Sequence, residues 1–326
     1  AALQSGMTLY FIESLDTFQR DVQECQPTLF VSVPRLWTKF QHGILHKLSQ
    51  TKLNILLRIP VVNGLIKNKI RNGLGLSQTK LCASGSAPLP PVITAWFEKL
   101  GIEICEGWGM TENAALGTAC LPFRKDKIGC IGRPWGGVSL KLSEQQELLS
   151  KSPGNMMGYY LDPERTAEAF TDDGYLRTGD KAIADGDGYY SITGRIKDIF
   201  KTAKGKYVTP APIEAKLMEN SVIEQVCVTG ASLPQPIALL VLSEEAQEQS
   251  KNQITASLQQ TLNKINGGLE SHQRLDHLVV MAQPWTIEND LLTPTLKVKR
   301  HVLEERFPEV IHQAYNDKVV WQHDSN

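Results

Sequence analysis

The sequence predicts an α/β protein: a parallel sheet with covering helices, then a β-rich segment, then a small α+β domain. Three observations predict it. Apolar runs alternate with helical segments up to about residue 120, and strand–helix–strand alternation implies parallel strands. From Ile128, glycines at 129, 132, 136, 137, 154 and 158 punctuate short runs, the texture of a small β-barrel or distorted sheet. At Gly194-Arg195-Ile196-Lys197-Asp198 a glycine and opposite charges precede a shorter, strongly charged segment, and this reads as a hinge. The expected organisation is a large unit over 1–193 (α/β to 120, β-rich over 121–193), a hinge at 194–198 and a mobile α+β domain over 199–326.

Asp16 to Cys25 reads as an amphipathic helix capped by Asp16 or Thr17. Thr28 to Val33 is a continuous apolar run, suited to a strand covered on both faces. Pro34 opens the helix that follows, since proline is tolerated in a first turn, and two more helical segments run to about Leu74. Lys80 to Ala83 is a strand leading into Ser84-Gly85-Ser86-Ala87-Pro88. Pro90 to Leu100 is a helix with Gly101 as its C-cap. Ile102 to Cys105 is a strand running into Glu106-Gly107-Trp108-Gly109-Met110-Thr111-Glu112. In parallel sheets ligands bind beyond the C-terminal strand ends, where both small-residue loops, 84–88 and 107–112, fall.

Farther on, Asp162 caps a helical insert to Phe170 with Pro163 at its first position. Asp185-Gly186-Asp187-Gly188 is a hairpin turn; its aspartates lack the glutamate of a calcium loop. Beyond the hinge, Pro212–Asn220, Gln253–Asn266 and Leu296–Phe307 read as helices. Val222–Thr229, Ile237–Leu242 and His277–Met281 read as strands.

The 326 residues carry 34 Lys+Arg and 35 Asp+Glu, a net charge of -1. This offers no basic footprint for nucleic acid. The six cysteines form no CxxC pair and read as reduced thiols of a cytoplasmic protein. His42 and His46 share a helix, but nothing nearby completes a metal site. No signal peptide is visible. The chain starts at Ala1 without methionine and runs at once into MTLYFI, which reads as a cut through a domain. The longest apolar stretch, Leu53 to Ile66, is broken by Arg58, Pro60 and Asn63 and is too short to span a bilayer. A buried helix pair is the preferred reading, and contact with a membrane surface, at the inner face, is the other.

The ordered motifs EGWGMTE, GYYLDPERTAEAF, YLRTGD, GRIKDIFKTAKGKYV and LTPTLKVKR resemble the adenylate-forming superfamily. The segment ESLDTF…PTLFVSVPRLWTKF resembles its long-chain fatty acyl-CoA synthetase branch in particular. The resemblance implies ATP-dependent, Mg²⁺-assisted activation of a fatty acid to an acyl-adenylate, then transfer to the thiol of coenzyme A. An anion attacks a polyanion, so catalysis is chiefly positioning and charge neutralisation.

The resemblance assigns roles residue by residue. Glu112 would hold Mg²⁺ as a hard oxygen ligand. Thr111 would bond the α-phosphate, with Gly109 beside it. Trp108 would face the adenine, where relatives more often have tyrosine, and Gly85, Ser86 and Ala87 would border its edge. Asp180 would accept from both ribose hydroxyls. Arg195 would reach the ribose or phosphate, and Lys197 would be the pivot. Lys201, with Lys204 nearby, and Gly205 would border the CoA channel. Lys297, in LTPTLKVKR where many relatives have TxSGKxxR, would bridge the acyl carboxylate and the α-phosphate. Taken singly, each is an ordinary residue: Glu112 a helix cap, Asp180 a turn aspartate, Lys297 a surface lysine beside Lys299 and Arg300. The ordered set decides otherwise.

No stretch resembles the family's phosphate loop, TSGTTGxPKG, which in relatives lies upstream of ESLDTF. The sequence therefore reads as the C-terminal portion of a longer enzyme, with little activity alone. Alternatives are a fatty acyl-AMP ligase delivering to an acyl carrier protein, an aryl-CoA ligase, or a non-catalytic nucleotide- or acyl-binding module.

Overall fold

The computed structural model describes residues 5–14, 17–244, 246, 249–293 and 296–322. Two compact units are present, residues up to 138 with 187–189, and residues 139–186 with 190 onward.

In the first unit, α1 (Phe18–Cys25), β1 (Leu29–Ser32), α2 (Pro34–Lys47), α3 (Gln50–Leu56) and α4 (Pro60–Leu74) lead to β2 (Leu81–Ser84), α5 (Pro91–Lys99) and β3 (Ile104–Trp108). Short strands β4 (Thr118–Ala119) and β5 (Arg133–Pro134) complete a sheet of order β1-β2-β3-β4-β5. The first three strands are parallel; β4 and β5 join antiparallel. Trp37 lies at the centre of the core, fully buried, edge-on to Phe30, Phe40 and Phe97. Such T-shaped pairs suit the aromatic quadrupole. Pro34 and Pro91 open their helices, and Gly101 follows α5 at φ +75°, a backbone that favours glycine.

Several expectations need correction. Asp16 lies outside the described residues, and Thr17 makes no side-chain cap, its hydroxyl bonding Asp21 instead. The apolar run of β1 is not covered on both faces: Leu29 and Val31 are exposed while Phe30 is buried. Among the described residues β1 is the first strand of the sheet, and its helices cover the Phe30 side. Leu53–Ile66 forms α3 and the start of α4, yet only Leu53 of it is fully buried; Ile55, Ile59, Val61 and Leu65 face outward. β3 runs to Trp108 because β4 pairs with Gly107 and Trp108.

The second unit contains two further sheets and a ribbon. β6 (Ser139–Leu142), β7 (Glu147–Lys151), β8 (Leu176–Ala184) and β9 (Tyr190–Arg195) form an antiparallel meander in that order. Of the two forms expected for this segment, the described strands take the open, distorted sheet, with bulges near Leu148 and Lys181. The insert α6 (Pro163–Glu168) is capped as expected, the Asp162 carboxylate accepting from Arg165 N–H. A one-turn 3-10 helix, Ile196–Asp198, leads to the ribbon β10 (Phe200–Lys201) and β11 (Tyr207–Val208). Then α7 (Pro210–Leu217), β12 (Ile223–Thr229), β13 (Ile237–Leu242), α8 (Lys251–Gly267), β14 (Leu278–Val280), α9 (Arg300–Arg306), α10 (Pro308–His312) and β15 (Val319–Trp321) follow. The sheet order is β12-β13-β14-β15. One face packs on α7 and α8 through Leu217 and Leu258, the other on Trp285 and Leu303.

The helix expected from Leu296 begins only at Arg300. A Leu292–Val298 bridge closes a tight loop there, with Leu296 at φ +61°, so these residues cannot be helical. α10 and β15 had no sequence signal of their own. Truncating Trp37 to alanine empties the centre of the first core, so Trp37→Ala is expected to cost about 3–5 kcal/mol, measured by urea unfolding of the intact chain.

Candidate functional site

The predicted residues fall into two sets, one in each unit. In the first, β2 and β3 are parallel neighbours with Ala83 opposite Cys105 and Ser84 opposite Glu106. Their following loops therefore leave side by side. A Cβ on Gly85 would sit 3.4 Å from the Gly107 carbonyl, so the strands approach closely here. Ser86 has φ +70° and is exposed with Ala87.

Trp108 is half-buried, and a Cβ on Gly117 would collide with its indole, so the ring lies against that glycine. Gly109 is similarly pressed onto the backbone of Ala115. Thr111–Asn113 forms a 3-10 turn, and the side-chain amide oxygen of the buried Asn113 accepts from Met110 N–H at 2.8 Å. Thr111 is exposed and Glu112 half-buried on this turn. A turn held this firmly presents an oxygen donor with little freedom to lose. Among the described residues no three His, Cys, Asp or Glu side chains form a metal cage. A single carboxylate fits a magnesium ion whose remaining ligands are water and phosphate.

Sequence reasoning missed Glu106, read only as part of a loop motif. It is buried on β3, and its carboxylate accepts from Leu89 N–H at 3.3 Å, at the foot of the 84–88 loop. Burial pushes its pKa up to about 7, opposed by the Leu89 and Gly129 amides and by Thr94. The Thr94 hydroxyl is buried without a fully formed hydrogen bond of its own. The only sequence signal was an acidic residue at the end of an apolar strand.

In the second unit Asp180 and Arg195 are paired across β8 and β9, with the Arg195 Nε 3.0 Å from Asp180 Oδ1. A kink at Gly179, φ +70°, turns Asp180; the Gly179 N–H is held by the Glu147 carboxylate at 3.0 Å. The Asp180 N–H bonds the Thr178 hydroxyl, which donates to the Leu148 carbonyl. Lys297, exposed, lies near enough to this pair to feel both charges. Desolvation around its ammonium and then Arg195 lower its pKa, while Asp180 opposes them. Lys297 sits beside the Leu292–Val298 bridge, where Thr293 N–H donates to its carbonyl and its own N–H donates to the Thr293 hydroxyl. Residues 294 and 295 of LTPTLKVKR lie outside the described residues.

Arg300, three residues on, bonds the Glu214 carboxylate at 2.7 Å and the Val228 carbonyl. The sequence reading passed over it as part of a basic cluster. Lys197 is exposed on the 3-10 turn, Lys201 and Lys204 are exposed on the β10–β11 ribbon, and Gly205 takes its turn at φ +75°. Gly194 is required by packing: a Cβ there would strike the Thr209 methyl.

Loops beyond parallel strands, a carboxylate on a fixed turn and a carboxylate–guanidinium–ammonium cluster are the parts an adenylate-forming enzyme uses. The AMP-binding enzyme family matches residues 1–160 and the AMP-binding enzyme C-terminal domain matches residues 197–319. The chain belongs to this family. It is similar to the long-chain-fatty-acid–CoA ligase FadD15 of Mycobacterium bovis, 30% identical over 97% of this chain and 59% of that protein. It is also 31% identical to long-chain-fatty-acid–CoA ligase 5 of Mus musculus, over 95% of this chain and 52% of that one. Among solved structures it resembles the A domain of a carboxylic acid reductase from Segniliparus rugosus, in complex with AMP and a carboxylic acid. That match has a TM-score of 0.74 and 27% identity, over 95% of this chain and 50% of that one. The chain thus spans little more than half the length of these relatives.

The Glu106 pKa makes a prediction about pH. The folded carboxyl, at about 7 against 4.5 for the free group, keeps its proton where the unfolded one has lost it. Stability contributed by the protonated form is therefore lost as pH rises from about 4.5 to 7 and is flat above. The loss is on the order of 3 kcal/mol. Urea unfolding of the wild type from pH 5 to 8 is expected to show this fall, and Glu106→Gln to lack it.

Proposed function

We propose that this chain carries the nucleotide- and acyl-handling part of a long-chain fatty acid–CoA ligase that forms an acyl-adenylate from ATP and a fatty acid. The observation that carries the reading is the Asp180–Arg195 pair, with Lys297 near enough to feel both charges. A carboxylate has two acceptor oxygens for a ribose diol. A lysine ammonium is a compact charge suited to the space between an acyl carboxylate and a phosphate. The neighbouring Arg195 charge helps lower the Lys297 pKa, and an arriving anion would relieve that repulsion.

In this reading Trp108 offers its ring to the adenine and Gly85, Ser86 and Ala87 line its edge, small enough for close approach. Thr111 donates to the α-phosphate. Glu112 would hold the magnesium ion, whose chemistry is to neutralise charge on the phosphates. Arg195 draws Asp180 into register and faces the nucleotide as a second cation. Gly194–Asp198 is the hinge between residues 1–193 and 199–326, Lys197 the pivot, and Lys201, Lys204 and Gly205 border the path of the CoA thiol once the second half-reaction begins. The long-chain relatives favour a fatty acid over an aromatic acid, and CoA over a carrier protein, as partner. A cytoplasmic location belongs to the same reading.

Calorimetry with an acyl-adenylate analogue tests it. The wild-type chain is expected to bind, with Asp180→Asn and Lys297→Ala each weakening binding by about tenfold or more. No binding by the wild type, or equal binding by both variants, would sink the assignment. In catalytically competent protein, Lys297→Ala is expected to slow single-turnover adenylate formation by about 10²–10³, the scale of losing one aimed electrostatic donor. Lys197→Pro is expected to impair thioester formation more than adenylation; equal loss of both half-reactions counts against the pivot.

A further inference from the structure

The bonds that shape the segment around Lys297 mostly join the segment to itself. Val298 bridges Leu292, Lys299 N–H donates to the Leu291 carbonyl at 2.9 Å, and the Lys299 ammonium pairs with Asp290. Such bonds give the segment a shape and leave its place on the body unspecified. Leu291, Leu292 and Val298 fasten it to the apolar core, but apolar contact is non-directional. The directional tie comes from Arg300.

Arg300 opens α9, three residues after Lys297, and its side chain is only 17% exposed. One guanidinium nitrogen donates to the Glu214 carboxylate at 2.7 Å. The other donates to the Val228 carbonyl and lies 3.2 Å from the Cys227 sulfur. The same Glu214 oxygen accepts from Val228 N–H at 2.8 Å. Both backbone polar groups of Val228 are thus taken by one carboxylate–guanidinium pair.

Val228 lies on β12, the first strand of its sheet among the described residues, with Ala238 of β13 opposite it. The Glu214–Arg300 pair therefore occupies the place that a further strand would take, and this gives Arg300 a fixed register along β12. A lysine could not do the same, because one ammonium lacks the planar fork that meets a carboxylate and a carbonyl together. Burial works against the guanidinium charge, and Cys227, Glu214 and Asp198 of the Ile196–Asp198 turn outweigh it.

We propose that Arg300 is the positioning residue of Lys297: by holding Glu214 and Val228 it sets where the segment presents its ammonium toward Asp180 and Arg195. The proposal rests on the adenylation role proposed for Lys297 above. Arg300 acts through Lys297 and not on the ligand, so its effect exists only while residue 297 is a lysine.

The test uses Arg300→Lys and Glu214→Gln in the intact 326-residue chain, each read at a temperature where circular dichroism shows the fold intact. The first readout needs no ligand: the pH profile of Lys297 labelling by limiting acetic anhydride, followed by mass spectrometry. In the wild type, desolvation and then Arg195 hold the Lys297 pKa below that of a free lysine. Both variants are expected to move the profile up toward the free amine. The second readout is calorimetry with an acyl-adenylate analogue. Arg300→Lys is expected to lose up to about tenfold in affinity, and nothing further in a Lys297→Ala background. Unchanged labelling profiles in both folded variants overturn the proposal. So does an equal loss of affinity with and without Lys297, which would make Arg300 a general support of the fold. A wild-type chain that binds no analogue removes the adenylation reading, and the labelling profile then decides the positioning by itself.

Discussion

The register of β2 against β3 is the constraint on which the first half of the site depends. With Ser84 opposite Glu106, the Gly85 and Gly107 backbones come close, and the next residues of both strands diverge at one sheet edge. A slip of one residue would turn every side chain of β3 to the other face. Glu106 would leave the Leu89 amide and Trp108 would leave Gly117. The glycines are therefore part of the register, since side chains at Gly85, Gly107 or Gly117 would push on neighbouring backbone or on the indole.

The site also concentrates unfavourable chemistry. Glu106 is a buried carboxyl with no cation recorded against it. The Ser84 hydroxyl and the Asn113 amide nitrogen are buried without hydrogen-bond partners, an arrangement that typically costs 1–3 kcal/mol for each such group. Three destabilised groups within two adjacent strand ends contrast with the aromatic core around Trp37, where local preference and packing agree. The Asp180–Arg195 pair adds little to offset them, because Arg195 is largely exposed and surface pairs are worth roughly 0–1 kcal/mol. Its value lies in where it holds the carboxylate.

Much of this was legible in the sequence. Alternation of apolar runs and helices gave the parallel strands, prolines and glycines marked helix ends at Pro34, Pro163 and Gly101, and ordered motifs gave the family. What was not legible depended on neighbours distant in sequence. The exposure of Leu29 and Val31 follows from helices covering only the Phe30 face of β1, which its own composition does not declare. The late start of α9 follows from the Leu292–Val298 bridge. The raised pKa of Glu106 comes from its burial in the folded core, which the strand's own sequence does not declare. Pairing of Asp180 with Arg195 is set by a bulge at Lys181, and no pattern in either strand announces it.

Arg300 shows how the second half is built. Its guanidinium reaches Glu214 on α7 and the Val228 carbonyl on β12, beside the fully buried Cys227. Val298, two residues earlier, is bridged to Leu292. Lys297 is thereby clamped on both sides to the body formed by β12–β15. A lysine on a free loop could search for its target by itself. This one has surrendered that freedom, and its position is a property of several dozen packed residues. Where the ammonium can reach is then set by the placement of a whole sheet rather than by its own loop.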